Sequence, residues 1–256
     1  MQNGERMITI TSAGNGIIKH IKKLSGHAYR ASCQEVLLEG ERLVCDSAAY
    51  GAELLTVLIR EGYTGRVPEA AHCYKVSPAL FDALAETGTP QGILATAKAK
   101  QVSLEEIPKG GAIMVCDRIQ DPGNVGTILR LCHGAGVDGV VLLRGTADPF
   151  NTKAVRASMG SLFAVPIAFA DALPRYEGYT SFCGALTPTA ASLYATKFPK
   201  KTMLIIGNEG EGVSRAILEK THHVMIPMPG GAESFNAAVA GAVILYEYFR
   251  QVNDVR

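Results

Sequence analysis

Residues 203–240 read MLIIGNEGEGVSRAILEKTHHVMIPMPGGAESFNAAVA. Met203 to Ile206 is a short apolar run and predicts a buried strand. The turn Gly207-Asn208-Glu209-Gly210-Glu211-Gly212 follows at once. Val213, Ala216 and Ile217 then recur at helical spacing, predicting a helix over 213–220. A second apolar run, 223–228, ends at Pro229-Gly230-Gly231, and Ser234 stands where it could cap a helix starting at Phe235. A strand, a glycine-rich turn and a helix N-terminus make a ligand cradle, because glycine lets the backbone approach a ligand and the first helical N–H groups are unpaired. The loops alone are equally those of two ordinary α/β connections.

Working outward, 256 residues suffice for one large domain or two smaller ones, with a sizeable core. A hydrophobic fraction of 47% and a charged fraction of 19% suit a soluble globular chain. No apolar run approaches the roughly 20 residues that span a bilayer, and the opening MQNGERMITI has no secretory core. The six cysteines, Cys33, Cys45, Cys73, Cys116, Cys132 and Cys183, include no CxxC pair and no zinc-finger spacing. They read as reduced thiols of a cytoplasmic protein without a metal. The net charge of +1 gives no bulk attraction to nucleic acid, so any such surface must be a local patch.

One patch stands near the N-terminus, where Arg6, Lys19, Lys22, Lys23 and Arg30 face only Glu5 within residues 1–32. Ile17, Ile18, Ile21 and Leu24 share one helical face, and the lysines fall largely elsewhere. Strands are expected at 36–38, 54–59, 73–76 and 93–97, with helices over 41–49 and from Pro78. These make a small α/β sandwich. Pro108-Lys109-Gly110-Gly111 is a break, and the expected domains are 1–106 and 107–256. In the second domain, strand 112–116, a loop, helix 127–133 and strand 140–143 form a β-loop-α-β unit of a parallel sheet. A helix at 151–161 carries Lys153 and Arg156, and strands are expected at 162–168 and 182–186.

Three stretches together resemble the SpoU (TrmH-like) family of RNA ribose 2′-O-methyltransferases, in the SPOUT superfamily. The first carries Asp117, Asp121-Pro122, Asn124, Gly126, Ile128 and Arg130. The second carries Gly207, Glu209 and Gly212. The third carries Ile226-Pro227-Met228, Gly230 and Ser234-Phe235-Asn236, where Phe235 replaces the usual leucine. The first hundred residues resemble the ribosomal-protein-L30e-like domain that often precedes such a catalytic domain, through Ser12…Asn15, Leu38-Glu39-Gly40 and Thr89-Pro90-Gln91-Gly92. Gly16 stands there in place of a usual proline.

The resemblance implies a parallel-sheet SPOUT domain closed by a C-terminal trefoil knot, which pattern alone could not suggest, preceded by an L30e-like α/β sandwich. It implies S-adenosyl-L-methionine held mainly by backbone around Gly207, Ile226, Phe235 and Asn236, with Ile206 and Met228 walling the adenine. Arg130 is the expected catalytic group, assisted by Asn124, Glu209, Ser234 and Asn236. A guanidinium is a poor base, so binding the ribose or phosphate and stabilising a developing oxyanion suits Arg130 better than proton abstraction. Lys19, Lys22, Lys23, Arg30, Lys153 and Arg156 are the expected RNA contacts. The expected partners are structured RNA, ribosomal RNA above all, and a second copy of the chain. The long helix after Ser234 carries apolar residues on more than one face, from Ala237 to Phe249. Against this stand a tRNA methyltransferase, a non-catalytic RNA-binding scaffold and a dinucleotide enzyme. The spacing Gly207-x-x-Gly210-x-Gly212 is not that of a dinucleotide fingerprint.

Overall fold

The computed structural model describes residues 7–107 and 110–253. Arg6 and Glu5 of the basic stretch, and Pro108 and Lys109 of the expected break, lie outside these residues. In chain order the first elements are β1 (Thr9–Ile10), α1 (Gly16–Lys23), α2 (His27–Cys33), β2 (Glu35–Glu39), α3 (Glu41–Ala49), β3 (Leu54–Arg60) and β4 (His72–Val76). There follow α4 (Pro78–Asp82), β5 (Ile93–Lys98), β6 (Ala112–Asp117), α5 (Pro122–Ala135), β7 (Gly139–Leu143), α6 (Thr152–Ser158) and β8 (Ile167–Ala170). The last are β9 (Thr180–Gly184), β10 (Ala191–Ser192), β11 (Thr202–Gly207), α7 (Arg215–Leu218), β12 (His222–Met225) and α8 (Ala237–Val252).

Two compact units result. The first runs to Lys100 and takes in Phe150–Phe163; the second comprises Gln101–Pro149 and Ala164–Arg256. The first holds a five-stranded sheet in the order β1-β4-β3-β5-β2, with β5 antiparallel to both its neighbours. Asn15 starts α1 by accepting the Ile17 N–H at 2.8 Å. Ile18 and Ile21 then point inward with Leu24, to meet Leu37, Leu58, Phe81 and Leu94 in one core. Lys19, Lys22 and Lys23 stay exposed.

The unit division departs from a single cut between 106 and 107. The α6 segment packs on β2, and Gly160 lies so close to Ser47 that an added Cβ would sit 2.9 Å from its backbone nitrogen. Ala154, Val155, Leu162 and Phe163 are buried there. Lys153 and Arg156 therefore belong to the first unit, where Arg156 pairs with Glu86 at 3.4 Å. The strand expected over 162–168 is also corrected. Residues 161–163 form a 3-10 turn, and β8 begins only at Ile167.

The second unit is a seven-stranded parallel sheet, β10-β12-β9-β11-β6-β7-β8. β6, β7 and β11 are buried at every residue, as central parallel strands covered on both faces must be. Because β9, β11, β12 and β6 run the same way, the loops that leave them gather at one sheet edge. α5 and α8 pack against each other, and α8 also covers β11.

Candidate active site

β11 ends at Gly207, and the chain turns back on itself within five residues. Asn208 and Gly212 exchange two backbone hydrogen bonds of 3.1 and 2.9 Å. The Asn208 side chain accepts the N–H groups of Gly210 and Glu211 at 2.9 Å and donates to the Arg118 carbonyl at 3.0 Å. A Cβ at Gly207 would fall 2.3 Å from the Val213 nitrogen, so only glycine fits. The end of β6 is stitched to this turn. Buried Asp117 accepts the Ser214 N–H at 2.6 Å. Arg118, in the left-handed region at φ 59°, reaches the Glu211 carboxylate and, at 3.4 Å, the Gly212 carbonyl.

Asn124 lies in the first turn of α5, which starts at Pro122, five positions before the expected helix, because Asp121 caps it, accepting the Gly123 N–H at 2.7 Å. Its Nδ2 donates to Glu209 Oε1 at 2.7 Å, and its Oδ1 accepts from Asn236 Nδ2 at 3.0 Å. Asn236 Oδ1 in turn caps α8 by accepting the N–H groups of Ala238 and Val239 at 2.9 and 3.3 Å. The ionised carboxylate can only accept, so it fixes both amide orientations. Burial alone would push the Glu209 carboxyl up; hydrogen bonds from Asn124 and from the backbone N–H groups of Glu209, Gln120 and Asp121 outweigh that and hold it below the ordinary range. Three separate motifs are thus joined by one hydrogen-bonded chain. Asn236, not Ser234, is the cap of α8, whose first residue is Ala237. The helix expected over 213–220 is the single turn α7.

Beneath this chain lies a cavity of about 450 Å³. Its walls include Ile206, Gly207, Glu209, Ile226, Met228, Ser234 and Phe235 from the sequence reading, and Ala237, Ala240 and Ile244 of α8 close one side. Asn124, Asn236 and Arg130 are not among the lining residues. Arg130 is exposed on α5, about 120° around the helix from Asn124, and no hydrogen bond or ion pair holds its guanidinium among the described residues. The sequence reading missed a wall, Gly184 to Thr187 after β9. Its signal was a glycine closing an apolar run, which acquires meaning only once β9 is known to lie between β11 and β12. Arg30 is corrected as an RNA contact. It is 4% exposed, and its guanidinium donates to the carbonyls of Leu24 and Ser25 at 2.8 and 2.7 Å.

The cavity offers apolar walls and a rim carrying three carboxylates, Glu209, Glu211 and Glu233. No cluster of three metal-ligating side chains exists among the described residues. The volume fits a small organic ligand, for which about 300–1,000 Å³ is usual.

Residues 111–246 match the SpoU rRNA Methylase family, and residues 15–95 match the MRM3-like substrate binding domain. The chain is 36% identical over 251 residues to the 23S rRNA (guanosine(2553)-2′-O)-methyltransferase RlmP of Bacillus subtilis, covering 94% of this chain and 98% of that one. Its fold is similar to the AdoMet-bound rRNA methyltransferase of Sinorhizobium meliloti, with TM-score 0.83 and 26% identity over 96% of this chain and 98% of that one. It is similar also to the SpoU methyltransferase AviRb of Streptomyces viridochromogenes in complex with AdoMet, with TM-score 0.79 and 26% identity over 94% of this chain and 100% of that one. The chain belongs to the SpoU rRNA methylase family.

Proposed function

We propose that this protein is an S-adenosylmethionine-dependent methyltransferase that modifies the 2′-oxygen of a guanosine ribose in 23S ribosomal RNA. The observation that carries the reading is the cavity whose walls are tied together by Asn124, Glu209 and Asn236, in a chain 36% identical to an enzyme named for that reaction. S-adenosylmethionine, when bound, supplies an electrophilic methyl on a sulfonium. Backbone around Gly207, Ile226 and Phe235 holds it, and Ile206 and Met228 contribute apolar wall. Asn124 and Asn236 keep the three loops in register, and Glu209 anchors the glycine turn. Ser234, exposed at the cavity rim, positions the ribose. Arg130 binds the ribose or its phosphate and offsets negative charge as the hydroxyl loses its proton. On family grounds the C-terminal loops are read as a trefoil knot, and the protein as cytoplasmic. No helix among the described residues is long and apolar enough to cross a membrane.

Calorimetry in excess chelator should show binding of S-adenosylmethionine, and ribosomal RNA from cells lacking the protein should lose one 2′-O-methyl mark. Binding that vanishes with chelator, or an unchanged methylation map, would overturn the reading.

We infer a homodimer built on α5 and α8. Val239 and Tyr246 are 47% and 46% exposed and share a face of α8 with the half-buried Val243. An apolar stripe of this kind on a paired-helix surface fits an isologous contact with a second copy. Such a contact would let the free Arg130 complete the partner's site. Light scattering is expected to give twice the monomer mass at micromolar concentration, and Val239→Asp with Tyr246→Asp to halve it; a wild-type monomer would rule the contact out.

The basic face of α1 is the RNA grip of the first unit. Lys19, Lys22 and Lys23 project from a helix whose other face is locked in the core, with Lys23 Nζ 5.5 Å over the Tyr29 ring. Replacing all three by alanine should flatten the log–log salt dependence of RNA binding by about 2 to 3, without lowering the melting temperature. An unchanged slope would remove these lysines from the interface. Point variants are the fair test here. Deleting residues 1–100 would strip the cover from Ala154, Val155, Leu162 and Phe163.

A further inference from the structure

His223 belongs to none of the three motifs, yet its ring lies between two walls of the cavity. Nε2 is 2.8 Å from the Leu218 carbonyl at the end of α7. A carbonyl only accepts, so this nitrogen carries the hydrogen. In the neutral ring Nδ1 is then a lone pair, and it accepts from the Thr187 hydroxyl at 2.8 Å. Thr189 Oγ1 stands 3.2 Å from the same nitrogen and 3.3 Å from Thr187 Oγ1, close enough to donate to either. Thr187 and Leu218 both line the cavity, the first in the loop after β9, the second closing the helix that follows the glycine turn.

We propose that His223 is a positioning residue for the cofactor, a clasp that fixes the loop after β9 against α7. The proposal rests on the reading of the cavity as the S-adenosylmethionine site. β12 pairs with β9, placing His223 opposite Cys183, so the ring is within reach of the loop that begins at Gly184. Backbone bonds hold that loop near its ends: Ala185 donates to the Val224 carbonyl at 3.0 Å, and Ala190 to the Thr187 carbonyl at 3.0 Å. Between them Leu186 is 61% exposed and touches the cavity rim. Without the ring, the loop from Leu186 to Thr189, whose Leu186 and Thr187 line the cavity, keeps its local turn but loses its tie to α7. A wall that must be ordered during binding lowers affinity, because the ordering cost is then charged to the ligand.

The test is calorimetry with S-adenosylhomocysteine on the full-length protein, beside thermal unfolding. His223→Ala and Thr187→Val should each weaken binding about tenfold, the scale of one or two lost hydrogen bonds. The double variant should be no weaker than the worse single one, because both cut the same link. Thr187→Ser, which keeps the hydroxyl, should bind like wild type. In methyl transfer, KM for S-adenosylmethionine should rise more than kcat falls. Wild-type affinity in a folded His223→Ala protein, or additive losses in the double variant, would overturn the clasp. If His223→Ala does not fold, the contrast of Thr187→Val with Thr187→Ser decides, and equal affinities there would overturn it. Failure of the wild type to bind S-adenosylhomocysteine would instead overturn the cofactor reading on which the clasp depends.

Discussion

Arg130→Ala is expected to slow RNA methylation by about a hundred- to a thousandfold, the scale seen when one donor to a developing oxyanion is removed. Affinity for S-adenosylmethionine should stay within about twofold of wild type. The separation follows from where the side chain stands. Arg130 does not line the cavity, is exposed on α5 and is engaged by no carboxylate among the described residues. A cationic side chain with no partner in its own fold is available to substrate. Its planar fork of donors suits ribose and phosphate oxygens. Arg130→Lys keeps the charge but loses the fork, so it should recover only part of the rate. Single-turnover transfer at saturating RNA and cofactor measures the effect directly. A wild-type rate in Arg130→Ala would assign the arginine to the surface and leave stabilisation of the developing oxyanion to some other group. A pH series adds a separate check on the rim. The Glu209 carboxyl is held low, so its contribution is whole above the ordinary value of 4.5 and is lost as pH falls through the depressed one. Cofactor binding should therefore hold steady through neutral pH and weaken only on the acid side.

Local elements were largely legible in the sequence. The helix at 41–49 has the observed bounds, and β2 to β5 fall within one or two residues of the strands expected from short apolar runs. What escaped the reading depends on contacts between distant residues. Arg30 looks like its basic neighbours in sequence, but its partners are the carbonyls of Leu24 and Ser25, and backbone partners leave no trace in residue types. The 150–163 segment reads as part of the second domain because it follows β7 in the chain; its apolar side chains are buried in the first unit instead. Asn124, Glu209 and Asn236 are each legible in the sequence as members of one of the three motifs. Their joining into one hydrogen-bonded chain was not, since it requires the strand order that brings the β6, β11 and β12 loops to one edge. The wall after β9 and the His223 clasp escaped for the same reason.

Gly207→Ala should abolish measurable binding of S-adenosylmethionine, a loss of at least about a hundredfold, whereas Gly210→Ala, three residues on in the same turn, should bind within about twofold of wild type. The two glycines look alike in sequence and differ in what surrounds them. A Cβ at position 207 would stand 2.3 Å from the Val213 nitrogen and 2.4 Å from the Gly212 carbonyl carbon. Both are backbone atoms and cannot swing aside as a side chain would. The turn would have to open, which breaks the two bonds between Asn208 and Gly212 and carries Glu209 away from Asn124. Overpacking of this kind costs about 1–3 kcal/mol of fold stability, and the strain falls on the wall that grips the cofactor. At position 210 the nearest atom to an added Cβ is Asn208 Oδ1 at 3.6 Å, an ordinary contact. Calorimetry and thermal unfolding on the pair separate the two causes. A folded Gly207→Ala protein that binds as well as Gly210→Ala would mean that the closeness of this turn does not shape the cofactor cavity.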